Sequence, residues 1–186
     1  MKDLRTVKEL RTEFPEGFTE APLKSRASKF NIASLIAIPL AAILFQVYVP
    51  RFFAFLSYLE LPLLVTVYFA LMRRSPAVGV FIGAAIGLAE DSLSHNPLGM
   101  FGIVKTLAGY FAASVSQRFD VENPMVRLVL GFFFFFFHQF FYWVLARALL
   151  GEQLDFDLQR TLVQAVLNAV VAVPLFHVLD TLRITA

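Results

Sequence analysis

Six apolar stretches, each close to the length of a membrane-crossing helix, follow one another between Ile32 and Leu182, and they constrain the fold more than any other feature of the chain. A helix rising 1.5 Å per residue needs about 20 apolar residues to cross the hydrocarbon of a bilayer. We read spans over Ile32–Val49, Phe52–Met72, Ala77–Asp91, Leu98–Gln117, Met125–Leu150 and Leu158–Leu182. Pro50, Pro76, Pro97 and Pro124 fall at the breaks, where a residue without an N–H is tolerated and the residue before it is turned away from helix. Pro39, Pro62 and Pro174 lie inside spans and predict kinks. With 58% hydrophobic and 16% charged residues, the expected fold is an all-α integral membrane bundle of six transmembrane helices. The fifth span contains GFFFFFFHQFFYW, residues 131–143; successive side chains on a helix are about 100° apart, so six phenylalanines in a row leave no face for water.

Charge divides the chain into two parts. Residues 1–30 form a charged tail, too polar and too long before the first apolar stretch for a secretory signal, and residues 31–186 form the membrane domain. With the N-terminus in the cytoplasm, twelve lysines and arginines lie on that side: seven in the tail, with Arg73, Arg74, Arg118, Arg127 and Arg183. Only Arg51, Arg147 and Arg160 lie on the other. This asymmetry predicts two cytoplasmic termini and an even number of spans. In the tail, Leu4, Val7 and Leu10 recur at helical spacing among charges, a pattern that fits a membrane-surface helix, a partner site or a solvated tail. Without cysteine there are no disulfides, thiolate nucleophiles or Cys-held metals.

The third span carries the most specific pattern. Gly79, Gly83 and Gly87 recur every four residues along one flank, and Asp91 continues the row. Small residues at this spacing let a second helix approach backbone to backbone, and Gly102, Gly109 and Ala113 make the fourth span the expected neighbour. The turn between them, DSLSHNPLG, places Asp91 where it can accept hydrogen bonds from the free N–H groups at Leu98 and Gly99, with Pro97 presetting the first turn. Asp91, Ser92, Ser94 and His95 also crowd together, but there is no G-x-S-x-G elbow and no H-E-x-x-H pair, so a locked hairpin is the expectation and catalysis is not.

Ionisable groups inside spans need partners. Glu60 and Lys105 fall at similar depth, ~10–12 Å below the outer ends of the second and fourth spans, and an ion pair between them would join those helices. His138, in the middle of the fifth span, reads as a neutral hydrogen-bonded residue, and Asn168 as a cross-bundle hydrogen bond; His177 and Asp180 should approach cytoplasmic water. No metal or cofactor is expected.

The glycine ridge ending in Asp91, the short turn to Pro97, Leu98 and Gly99, and the following small-residue helix ending in AGYFAASVS resemble the MreD family of bacterial rod shape-determining membrane proteins. The specific likeness covers about residues 79–116; the rest matches in hydropathy and topology. The resemblance implies a non-enzymatic scaffold in the bacterial cytoplasmic (inner) membrane. It would bind MreC in the machinery that elongates the peptidoglycan wall, together with MreB, the RodA glycosyltransferase and its transpeptidase. It also implies an architecture similar to the substrate-binding subunits of energy-coupling-factor vitamin transporters. On this reading Phe133, Phe136 and Phe140 border a groove for the single transmembrane helix of MreC, because phenylalanine offers large contact area without a polar atom. The alternative is a subunit that binds a vitamin-like small molecule in a cavity lined by Glu60, Lys105, His138 and Asn168.

Overall fold

A computed structural model describes residues 29–94, 97–151 and 155–184. The charged tail before residue 29 and His95 lie outside the described residues, so the surface-helix and partner readings of the tail stay expectations. Six helices account for most of the described residues: α1 (Ile32–Tyr48), α2 (Leu61–Arg73), α3 (Pro76–Leu93), α4 (Met100–Val115), α5 (Pro124–Leu149) and α6 (Leu158–Asp180). By length and composition α1, α3, α5 and α6 are able to cross a membrane, whereas α2 and α4 are shorter. The chain is therefore a multi-pass membrane protein.

Side chains and prolines set the helix starts. Asn31, Asn123 and Asp157 cap α1, α5 and α6 by accepting from the backbone N–H of Ala33, Met125 and Arg160. Pro76 and Pro124 occupy the first turns of α3 and α5, where the missing N–H costs nothing.

The second span differs from the expectation. Instead of one helix from Phe52, two 3₁₀ turns (Val49–Arg51 and Ala54–Tyr58) precede α2, and Pro62 lies in its first turn rather than at a kink. A proline ring one turn deeper would clash with the carbonyl four residues earlier, so the helix begins beside Pro62 instead of running through it. The result is a 13-residue helix, ~20 Å long. Every residue from Pro62 to Met72 is buried, and α2 packs against all five other helices. Its shortness is tolerable because protein, not lipid, surrounds it.

The closest helix pair is α3 with α4. A methyl group at Gly79 would overlap the carbonyl of Gly109, one at Gly83 that of Lys105, and one at Gly87 that of Phe101. The helices touch through backbone, and dispersion over that contact replaces the hydrophobic effect, which does not act between helices in lipid. A smaller seam of the same kind joins α5 to α6, where a methyl on Gly131 would lie 2.9 Å from the Ala172 side chain.

At the end bearing both termini, a two-residue antiparallel pairing of β1 (Lys29–Phe30) with β2 (Arg183–Ile184) ties the chain's entry to its exit. Phe30 is buried edge-on against Phe69, with ring centroids 5.2 Å apart.

Gly83→Ala is expected to destabilise the bundle by about 3 kcal/mol or more, since the clash is with backbone that cannot rotate away. Thermal unfolding in detergent measures this; an unchanged midpoint would mean that the two helices separate without cost.

Candidate functional site

Most buried charges of the bundle gather toward its two ends. At the end away from the termini, Asp91 lies at the C-terminal end of α3, 1% exposed, and accepts three hydrogen bonds from the start of α4: from the N–H of Gly99 (2.9 Å), Phe101 (3.1 Å) and Gly102 (3.0 Å). These are orphan donors of a helix N-terminus, satisfied by a carboxylate from another helix. Gly99, the residue before α4, has φ 96°, a conformation open to glycine, and nothing lies within 4 Å of where its side chain would be. Glycine is required there by backbone angle, whereas at Gly83 it is required by space. Pro97 and Leu98 make the exposed turn before it, and Ser92 donates to the Leu88 carbonyl of its own helix at 2.7 Å. The described serines thus serve the helix end, and His95 lies outside the described residues.

One turn deeper, Lys105 of α4 donates to Glu90 of α3 at 2.6 Å, both side chains almost wholly buried. This corrects the expected Glu60–Lys105 pair. Because α2 begins only at Leu61, Glu60 sits in the loop before it, its Oε2 buried without a hydrogen-bond partner, while the intimate α3–α4 contact delivers Glu90 to Lys105. Residue Glu90 directly precedes Asp91, so one helical end supplies both carboxylates, one to the neighbour's backbone and one to its lysine. The ammonium also lies 4.2 Å from the centroid of Phe101, a cation–π contact.

His138 of α5 stacks on the same ring at 5.7 Å and is fully buried, with neither ring nitrogen hydrogen-bonded. The expected hydrogen bond is replaced by stacking. Asn168 of α6 is also fully buried and makes three bonds: it accepts from the Glu60 N–H (2.9 Å) and donates to the carbonyls of Tyr58 (2.8 Å) and Gln164 (2.9 Å). It fastens the irregular chain before α2 to α6. The structure therefore brings Glu60, Lys105 and His138 to one polar region around Glu90 and Phe101, with Asn168 holding its edge.

The sequence reading missed the polar cluster at the opposite end. Asp180 receives Arg127 of α5 at 2.6 Å, the Tyr68 hydroxyl of α2 at 3.0 Å and Arg183 at 3.0 Å, and Arg183 also meets Glu122 at 3.0 Å. Arg127 in turn donates to the Val121 carbonyl at 2.9 Å. Asp180 and Arg127 were both expected at the cytoplasmic end but not as a pair; Arg127 is 5% exposed, and with Tyr68 the two join α2, α5 and α6. The available signal was opposite charge at matching predicted depth on the fifth and sixth spans.

The phenylalanine run divides by helical phase. Phe134 and Phe135 are buried, while Phe133 is 49% and Phe140 39% exposed. Phe136 and Phe140 each rest edge-on against Phe156, with centroids 6.1 Å apart, so of the three candidate groove residues Phe133 is the most exposed and Phe156 partly covers the other two.

Buried charges paired with each other or with helix ends, around a short central helix, define a multi-pass membrane helix bundle held together by polar locks. Among the described residues no group of three or more His, Cys, Asp or Glu is arranged to hold a metal. The chain matches the family model of rod shape-determining protein MreD over residues 28–183, and it belongs to that family, a family of structural membrane proteins that act in rod shape determination. No curated protein and no solved structure matches it.

Lys105→Met is expected to cost about 3 kcal/mol by leaving Glu90 charged and alone, and the double change Lys105→Met with Glu90→Leu to restore most of it. Denaturant unfolding in detergent of Lys105→Met, Glu90→Leu and the double variant tests this; a double loss equal to the sum of the two single losses would show that the pair carries no coupling. Gly99→Ala should cost only about 1 kcal/mol, from backbone strain alone, in the same assay.

Proposed function

We propose that this protein is a non-enzymatic scaffold of the bacterial cell-wall elongation complex, seated in the cytoplasmic membrane with both termini in the cytoplasm, and that it binds the transmembrane helix of MreC. The observation that carries the reading is the rigid α3–α4 unit: a backbone-to-backbone contact closed at one end by Asp91 and beneath it by the Lys105–Glu90 pair. A partner's single helix gains affinity from a platform that does not have to be ordered on binding. The orientation is supported by the basic residues grouped at the end that holds both termini. MreB, RodA and its transpeptidase are the further partners that membership implies, with the wall chemistry residing in the synthases.

On α5, Phe133 and Phe140 present exposed ring area while their neighbours Phe134 and Phe135 anchor the helix inside. This half-exposed aromatic ridge is the surface we assign to MreC, with Phe136 as its support against Phe156. The small-molecule reading, with an energy-coupling-factor-like cavity, is less well supported. Lys105, His138 and Asn168 are wholly buried, and Asn168 has its hydrogen-bonding capacity taken up by backbone.

Single substitutions Phe133→Ala, Phe136→Ala and Phe140→Ala in the full-length protein are expected to lower co-purification of MreC, most for Phe133. Undiminished recovery for all three, with unfolding midpoints unchanged, would place the contact on another face.

A further inference from the structure

Helices α1 and α3 lie side by side but leave a seam between them. Along most of its length it is an apolar groove of about 450 Å³, lined by Leu35, Pro39 and Ile43 of α1 and Phe81, Ile82 and Ile86 of α3. Farther along the same two helices, toward the end away from the termini, the lining changes. Gln46 and Arg51 on one side, Glu90 and Ser94 on the other, and Glu60 border a second hollow of about 360 Å³. One seam thus has a long apolar part and a polar head.

The polar head has an unbalanced inventory. Glu60 and Glu90 contribute two carboxylates, and Lys105, bound to Glu90, offsets one. Two acceptors, Gln46 Oε1 and Glu60 Oε2, are buried with no donor. Buried acceptors in native proteins nearly always have a partner, so the hollow calls for a donor-rich positive group. At its rim stands Arg51, its guanidinium 5.3 Å from the Tyr48 ring and with no carboxylate partner among the described residues. Acceptors inside and a cation at the mouth complement an ammonium carried next to a phosphate.

We propose that the α1–α3 seam is a binding site for an amine-headed phospholipid of the leaflet at the end away from the termini. Its ammonium donates to Gln46 and Glu60, its phosphate faces Arg51, and an acyl chain lies along the apolar groove. A metal ion or a water molecule alone would leave Arg51 and the apolar length unused. The site is independent of the aromatic ridge assigned to MreC, so loss of one leaves the other intact.

Native mass spectrometry of delipidated full-length protein, titrated separately with phosphatidylethanolamine, phosphatidylcholine and phosphatidylglycerol, tests the proposal. The first should be retained about ten-fold better than the other two, the scale of one charge-assisted hydrogen bond, because choline has no N–H and glycerol no charge. Glu60→Gln and Arg51→Gln should each remove most of that preference; Arg51 is exposed, so its variant folds whatever happens to the other. Equal retention of the three lipids would overturn the site. So would free phosphoethanolamine competing as well as the intact lipid, or a photo-crosslinker at Phe81 that captures a protein helix instead of lipid.

Discussion

Three carbonyl oxygens of α4, at Phe101, Lys105 and Gly109, occupy the space where side chains of α3 would otherwise stand, and most of the remaining structure depends on that approach. In lipid, two helices gain little by hiding apolar surface from each other, because the tails are as apolar as they are. What holds α3 to α4 is close dispersion contact, and it is available only because Gly79, Gly83 and Gly87 carry no side chain. The short distance has electrostatic consequences. It brings Asp91 within hydrogen-bonding reach of three N–H groups and Glu90 within 2.6 Å of a buried ammonium.

The same logic explains how a 13-residue helix stands at the centre of a membrane protein. A helix of ~20 Å facing lipid would expose unsatisfied backbone at its ends. Surrounded by five others, α2 has its ends served by protein. Asn168 accepts from the Glu60 N–H at one end, and Gln117 donates to the Arg74 carbonyl at the other, at 3.1 Å. Tyr68 extends its hydroxyl to Asp180, which also holds Arg127. The paired charges thus lie toward the two ends, where Asp91, Lys105, Asp180 and Arg127 each meet a partner from another helix, and the middle is left largely to packing. Such a body is tied together at both ends of its helices, in keeping with a family of structural membrane proteins that act in rod shape determination.

The boundaries of five of the six spans were legible in the sequence to within two residues, because hydropathy and proline positions act locally. Pro62 was legible as a constraint but not as a choice between kink and start, since either satisfies the local rule; neighbours that could accept an irregular chain before α2 decided it. Depth along a span was readable too, and it placed Glu60 level with Lys105. It carries no information about which helices touch, and the lysine found Glu90 on the helix pressed against its own.

What this sequence determined by itself is therefore what depends on one segment at a time: a membrane-embedded all-helical chain, the places where it turns, a glycine row fit for close approach, and a phenylalanine run that excludes water. Only the tertiary structure decided the partners: Lys105 with Glu90, Asp180 with Arg127, Asn168 with the chain before α2, and the amphipathic seam beside α1. The reason is range. Apolarity and backbone angle act within a few residues, whereas a hydrogen bond between residues 60 and 168 exists only once the whole bundle has closed around α2.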